Sequence, residues 1–293
     1  MRYRVRHQTA YEYGSDVVHS QQLLHLVPRP SPYQQCIEHS LRVLPETFIQ
    51  RDETDAFGNL VTRVEIEHAH RQLDIATDME VEVHPRPAVS AIDTLPWEEV
   101  RDLVSYSGGW PSREVLDAAR FRHESPYVRV KQVFNEYGAD CFQPGRPILA
   151  CAQALMEKLH RELRYAPGET SIATPLAEVL QNRRGVCQDF AHLMIACLRA
   201  RSLPARYVSG YIRLRAEQMD WVDAGASHAW VSVYSPPFGW LELDPTNNVH
   251  VGTDHIAVAW GRDFGDVSPL RGVILGGGTH TLTVKVTVEP LGS

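Results

Sequence analysis

Polar and apolar residues alternate in short runs through the first third of the chain. Such alternation places apolar side chains on one face of an extended strand and polar side chains on the other. Prolines and the sequence Asp-Ala-Phe-Gly-Asn at 55–59 separate the runs, which is typical of turns between strands. The predicted strands are residues 2–9, 20–27, 40–44, 59–67 and 78–84. Short strands at this spacing predict an antiparallel β-sandwich over residues 1–95.

The pattern changes after Pro96, where apolar residues recur at helical spacing. The predicted helices are residues 97–105, 124–137, 148–163, 174–182 and 187–200. Alternation returns beyond Pro204, and the predicted strands there are 205–215, 227–234, 240–243 and 279–289. Helices followed by a run of strands are typical of an α+β domain with an antiparallel sheet. We therefore predict a helical connecting segment at 96–147 and an α+β domain at 148–293.

Composition and charge narrow the classes of function. The 293 residues include 29 Lys and Arg against 36 Asp and Glu, a net charge of −7, so a basic face for nucleic acid is not expected. The chain contains neither a signal-peptide stretch nor the roughly 18 consecutive apolar residues of a membrane span, so no membrane partner is expected. Five cysteines cannot all pair, and they are too sparse for a disulfide scaffold. These features predict a cytoplasmic protein.

One cysteine lies at the start of a predicted helix. Cys187 follows Gly185 in the sequence Gly-Val-Cys-Gln-Asp-Phe-Ala. A helix N-terminus offers free N–H groups and a positive dipole end, which favour a thiolate and can stabilise an oxyanion. Cys187 is therefore the candidate nucleophile. Packing within the core is predicted for the other cysteines, which are Cys36, Cys141, Cys151 and Cys197.

A nucleophilic cysteine needs a base and a group that orients the base. His228 begins a strongly alternating run, and Asp244 follows the next run. The turn Ser-Pro-Pro-Phe-Gly at 235–239 favours a hairpin, and the two residues lie eight positions before and after Pro236. A hairpin thus brings them roughly opposite each other, where the carboxylate can accept the imidazole N–H and fix its tautomer.

Three motifs together resemble the catalytic core of transglutaminase-like cysteine enzymes. They are Gly-Val-Cys-x-Asp-Phe-Ala at 185–191, Ser-His-Ala-Trp-Val at 227–231 and Trp-x-x-x-Asp-Pro-Thr at 240–246. Segments at 55–59, 254–256, 261–263 and 275–282 extend the resemblance to bacterial members with an N-terminal β domain. The resemblance implies a papain-like core of helices packed on an antiparallel sheet, with 148–293 as the catalytic domain.

The resemblance also implies a role for each residue of the site. Cys187 is the nucleophile, His228 the general base and then acid, and Asp244 the orienting group, while the backbone N–H of Cys187 contributes to an oxyanion site. A second oxyanion donor is expected from a side chain, and Tyr165 and Gln181 are the two alternatives upstream of the cysteine. The further candidates for the oxyanion site or for substrate contact are Gln188, Trp230, Asp254, His255 and Asp263. For Trp230 the alternative is strand packing, and for the last three it is a structural role in loops.

In a Cys-His-Asp site the cysteine sulfur attacks an amide carbonyl and forms a thioester. Water or an amine then cleaves the thioester. Water is abundant and a transferase must shield its thioester, so hydrolysis of a peptide or isopeptide bond is the first expectation. Acyl transfer to an amine is the alternative. A non-catalytic peptide-binding module is a third hypothesis, and the intact set of three residues argues against it.

The expected partner is therefore a peptide or protein substrate, and the sequence leaves the oligomeric state open. No cofactor and no metal are expected. His68 and His70 alternate on one predicted strand face, but no cysteine or carboxylate set with zinc spacing accompanies them.

Overall fold

The computed structural model describes residues 1–46, 48–105, 109–213 and 227–292. The strands are β1 (Arg2–Leu24), β2 (Gln34–Leu44), β3 (Ile49–Thr54), β4 (Leu60–Ile66), β5 (His70–Val83), β6 (Arg164–Tyr165), β7 (Arg184–Gly185), β8 (Ala205–Ile212), β9 (His228–Tyr234), β10 (Trp240–Asp244), β11 (Val249–His250), β12 (His255–Gly261), β13 (Leu270–Gly276) and β14 (His280–Leu291). The helices are α1 (Trp97–Leu103), α2 (Arg113–Ala119), α3 (Gln132–Tyr137), α4 (Ile148–Glu162), α5 (Leu176–Asn182), α6 (Cys187–Arg199) and α7 (Phe264–Val267). Within the described residues, no helix combines the length and the apolar character needed to cross a bilayer.

Strand β1 organises the N-terminal half of the protein. Its first half lies between β5 and β14, and its second half lies between β4 and β13. Strand β2 pairs with β5 and extends the half that contains β14, and β3 pairs with β4 and extends the half that contains β13. The strands thus form one curled antiparallel sheet with two halves that share β1. Buried apolar side chains from both halves form a common core: Tyr13, Val17, Leu24, Leu26, Val43, Val64, Ile66, Leu73 and Ile75. The predicted antiparallel β-sandwich is confirmed.

The second half of the protein contains a five-stranded antiparallel sheet in the order β11-β10-β9-β8-β12. Helix α6 packs against β8 and β9, and nearly all of its residues are buried. A helix that is buried on nearly all sides lies in the interior of its domain. The predicted papain-like, transglutaminase-like core of helices on an antiparallel sheet is therefore confirmed.

Three predictions about elements need correction. The runs at 2–9 and 20–27 belong to one long strand, β1, which bends where its ladder is interrupted between Glu12 and Val17. The helix predicted at 124–137 is confined to α3, because Pro126 disfavours helical backbone at its start. The strand predicted at 205–215 is β8, which ends at Ile212; residues 214 and 215 lie outside the described residues.

The last two strands correct the predicted domain boundary. Residues 148–293 were expected to form one catalytic domain whose sheet includes 279–289, but β14 pairs with β1 from Arg2↔Leu291 to Tyr13↔His280. Strand β13 pairs with the second half of β1 in the same antiparallel sense. The chain thus leaves the papain-like core after α7 and completes the sandwich, because β1 offers backbone groups on the edge that β4 and β5 leave open.

Two amide side chains join the sandwich to β12, the last strand of the core sheet. Gln34 donates to the carbonyl oxygen of Ala257 (2.7 Å) and accepts from its N–H (2.8 Å). Asn59 makes the equivalent pair with the carbonyl oxygen (2.9 Å) and N–H (3.0 Å) of Trp260. These side chains thus satisfy backbone groups that a neighbouring strand would satisfy inside a sheet. The sandwich therefore holds β12 in place.

A buried cation, Arg199, holds the C-terminal end of α6 in place. Arg199 is 2% exposed, and its guanidinium donates to the carbonyl oxygens of Phe121 (2.8 Å), Ala205 (2.8 Å) and Arg262 (2.6 Å) and to Oγ of Ser125 (3.1 Å). Burial lowers the pKa of Arg199 to about 10, which still leaves the group charged at neutral pH. The four hydrogen bonds compensate for the lost hydration of the cation and fix the C-terminal end of the helix.

Replacement of this cation should destabilise the fold strongly. Arg199→Met leaves several buried acceptors without a donor, and we expect the free energy of unfolding to fall by about 3 kcal/mol. The matched control is Arg161→Met, since the Arg161 side chain is 68% exposed and its partner is Glu162; we expect a change within about 0.5 kcal/mol. Urea denaturation measures both. Equal losses in the two variants would contradict this account of Arg199.

Candidate active site

The local sequence builds a sharp entry into α6, whose first residue is Cys187. The Asp189 carboxylate accepts hydrogen bonds from the N–H of Val186 (2.8 Å) and from the hydroxyl of Thr170 (2.7 Å). Position 185 needs glycine, because a Cβ there would lie 2.5 Å from Oδ2 of Asp189. The Gly-Val-Cys-x-Asp motif therefore has a physical basis: the aspartate caps the turn that presents the cysteine.

His228 and Asp244 lie at the same end of the β9–β10 hairpin. Nε2 of His228 is 2.8 Å from Oδ2 of Asp244, and both side chains are buried. The ladder pairs Leu243 with Val231, so Asp244 comes level with Trp230 rather than with His228. The expected hairpin brings the pair together, but the contact runs diagonally across the two strands.

Further donors converge on the Asp244 carboxylate. Asn247 donates its side-chain N–H to Oδ2 (2.7 Å), and the backbone N–H groups of Thr246 (3.0 Å) and Asn247 (3.2 Å) donate to Oδ1. Nε2 of His255 is 3.1 Å from Oδ2. Asn247 was not among the residues predicted for the site. The signal for it was the Asp-Pro-Thr-Asn sequence, because aspartate commonly accepts from backbone N–H groups two or three residues later in such turns.

Electrostatics favour a charged imidazole next to the thiol. Burial by itself lowers the pKa of His228, but the Asp244 carboxylate and Cys187 outweigh burial and raise this pKa above its ordinary value. Burial by itself raises the pKa of Asp244. The neighbouring histidines, His228 and His255, outweigh burial and lower the pKa of this carboxyl group below its ordinary value. The carboxylate is therefore ionised, and the proton stays on His228 through the neutral pH range.

A pocket of about 250 Å³ opens over Cys187 and His228. The candidates Tyr165 and Gln188 both line this pocket. Tyr165 lies next to the active-site turn because β6 pairs in parallel with β7, the strand directly before Val186 and Cys187. Phe264 adds an apolar wall. The pocket thus combines a thiol, an imidazole, an amide and a phenol.

Two other candidates lie elsewhere. Gln181 is exposed on α5 and does not belong to the described lining of the pocket, so Tyr165 is the one of the two alternatives that the pocket includes. Trp230 is fully buried and donates its indole N–H to Glu242 (2.7 Å). The packing alternative therefore describes Trp230 better than substrate contact.

The group of Asp254, His255 and Asp263 does not form a charged wall of the pocket described above. Asp263 is buried at the start of α7, where it accepts from the N–H of Gly265 and of Tyr127 (both 2.9 Å). Asp254 accepts from the hydroxyl of Tyr3 (3.2 Å). His255 contacts Asp244 instead of the pocket. The structural alternative holds for the two aspartates because each one satisfies donors of the loop or strand next to it.

A thiol at a helix N-terminus, next to a carboxylate-bound imidazole on an antiparallel sheet, is the arrangement of papain-like cysteine enzymes. Residues 3–82 match the bacterial transglutaminase-like N-terminal region, and residues 135–245 match the transglutaminase-like superfamily core. An uncharacterized protein of Mycobacterium tuberculosis is 37% identical over 301 residues, which covers 99% of this chain and 93% of the relative. The chain belongs to the transglutaminase-like superfamily and is a cysteine-type enzyme of that family.

Other relatives share parts of this similarity. The structure of a candidate cysteine protease from Cytophaga hutchinsonii has the same fold, with a TM-score of 0.76 over all of this chain and 91% of that chain, at 19% sequence identity. A protein-glutamine gamma-glutamyltransferase of Pseudomonas aeruginosa is 31% identical over 113 residues, which cover 33% of this chain and 16% of that protein.

The site predicts selective alkylation of one cysteine. Burial raises the pKa of Cys141 to about 11 and those of Cys151 and Cys197 to about 12, so these thiols stay protonated at neutral pH. Cys187 differs from them because it lines a pocket together with the His228 imidazolium. We therefore expect iodoacetamide to modify Cys187 at least about tenfold faster than the half-buried Cys36.

Peptide mapping after timed alkylation measures this selectivity. Because the imidazolium persists below the raised pKa of His228, the advantage of Cys187 should remain at mildly acidic pH. His228→Ala should reduce the rate at Cys187 to that at Cys36. Faster modification of Cys36 than of Cys187 in the unaltered protein would contradict an activated thiol.

Proposed function

We propose that the protein is a cysteine-dependent amide-bond hydrolase with Cys187, His228 and Asp244 as its catalytic triad. One observation carries the proposal: Asp244 binds Nε2 of His228 at 2.8 Å, which leaves Nδ1 as the ring nitrogen available to the thiol. Both Cys187 and His228 line the same pocket. The proposed substrate is a peptide or protein with a peptide or isopeptide bond.

The proposed reaction begins from a thiolate–imidazolium pair. Sγ of Cys187 attacks the carbonyl carbon, and the C–N bond breaks as Nδ1 of His228 delivers its proton to the leaving amine. A thioester on Cys187 results. Nδ1 then removes a proton from water, the hydroxide attacks the thioester, and the C–S bond breaks to release a carboxylic acid and restore the thiolate–imidazolium pair.

The oxyanion formed in both steps needs hydrogen-bond donors. The first N–H groups of a helix lack partners within that helix, so the N–H of Cys187 is suited to this role. Among the side-chain candidates, Tyr165 and Gln188 are supported because both line the pocket. Asp244 accepts a hydrogen bond from the Nε2–H of His228 throughout and stabilises the imidazolium whenever Nδ1 is protonated.

Acyl transfer to an amine is the second candidate, and it shares every step up to the thioester. Its support is the Pseudomonas relative, which is named a protein-glutamine gamma-glutamyltransferase, although the similarity spans 33% of this chain. Hydrolysis ranks first, because water reaches an open thioester unless the site excludes it. The competition between water and an amine at the thioester therefore decides between the two activities.

The decisive experiment offers the protein a peptide library with and without an added primary amine. We expect mass spectrometry to show products that gain one water, and no such products with Cys187→Ala. The Cys197→Ala variant is the matched control and should retain the activity, since Cys197 is fully buried near the C-terminal end of α6 and Cys187 is at its start. Products that carry the amine in place of water would establish the transferase. Turnover that survives in Cys187→Ala would refute both candidates.

A further inference from the structure

A second histidine shares the carboxylate oxygen that holds His228. His255 is the first residue of β12 and is 4% exposed. Its Nε2 lies 3.1 Å from Oδ2 of Asp244, the same oxygen that lies 2.8 Å from Nε2 of His228. Two imidazoles from different strands therefore meet on one buried oxygen atom.

The contacts determine which ring nitrogen of His255 carries the proton. A carboxylate only accepts hydrogen bonds, so Nε2 of His255 must be the donor. Nδ1 of His255 is buried and has no hydrogen-bond partner among the described residues. The hydrogen bond to Asp244 therefore places a proton on Nε2 of His255. The two histidines differ in position, because His228 lines the pocket together with Cys187 and His255 does not belong to the described lining.

The same three side chains offer ligand atoms for a metal ion. A tetrahedral zinc ion with bonds of about 2.05 Å separates its ligand atoms by about 3.3 Å. The two nitrogen–oxygen distances here, 2.8 and 3.1 Å, are those of hydrogen bonds. The geometry thus favours protons rather than an ion between these groups.

The strand that carries His255 is held firmly. Strand β12 pairs with β8 along one edge, and on the other Gln34 and Asn59 bind its backbone at Ala257 and Trp260. The indole of Trp230 packs edge-on against the His255 ring, with 5.3 Å between ring centroids. The imidazole of His255 therefore has a fixed position relative to Asp244.

We propose that His255 is a positioning residue that acts through Asp244 on the His228–Cys187 pair. Its N–H fixes the orientation of the carboxylate and stabilises the carboxylate's charge, so that the shared proton stays on His228. The inference deepens the proposed function and rests on it. It also gives the β-sandwich a role in the reaction, since the sandwich holds the strand on which His255 lies.

Amide substitutions at position 255 test the role, because glutamine places its N–H near the position of Nε2 whereas asparagine is too short to reach Asp244. We expect His255→Asn to slow iodoacetamide modification of Cys187 by about tenfold, the effect of one lost hydrogen bond to a charged group. His255→Gln should restore the rate to within about threefold of the unaltered protein. His255→Phe should behave like His255→Asn.

The control is His25→Phe, since His25 is also buried and also contacts a carboxylate, that of Asp55 at 3.4 Å. This variant should melt at a lower temperature but react at the unaltered rate, which separates lost stability from lost positioning. A normal rate in His255→Asn, or equally slow reaction in the Asn and Gln variants, would overturn the role of His255. If Cys187 of the unaltered protein reacts no faster than Cys36, the proposed function fails, and the inference fails with it.

Discussion

The carboxylate of Asp244 has no exposed surface, and a buried charge of this kind persists only where donors surround it. Here the donors are two imidazoles, two backbone N–H groups and one side-chain amide. They come from β9, from the turn after β10 and from β12. The hydrogen bonds to Asp244 therefore form only when these three segments of the core have the correct relative positions. The carboxylate in turn keeps His228 protonated next to Cys187.

The rest of the fold supports this arrangement from two sides. Helix α6 carries Cys187 at one end and the buried Arg199 at the other, so the cation anchors the helix that presents the thiol. The sandwich holds β12 through the amides of Gln34 and Asn59. Because β13 and β14 return to β1, both ends of the chain belong to the sandwich and enclose the core.

Local patterns predicted the features that depend on neighbouring residues. The start of α6 at Cys187 and the hairpin that joins His228 to Asp244 follow from glycine, proline and alternating residues within short windows. The destination of β14 was not predictable in this way, because its partner lies at the other end of the chain and alternation does not specify a partner. The contact between His255 and Asp244 was not predictable for the same reason, since it depends on the order of strands in the sheet.

The protonation state of His228 tests the central claim most directly. Nitrogen NMR of histidine-labelled protein distinguishes an imidazolium from a neutral ring. We expect both ring nitrogens of His228 to carry protons at neutral and mildly alkaline pH, since its pKa is raised, and to lose one proton at lower pH in Asp244→Asn. A neutral His228 ring at neutral pH, or identical titrations in the two proteins, would contradict the claim that Asp244 maintains the charged pair.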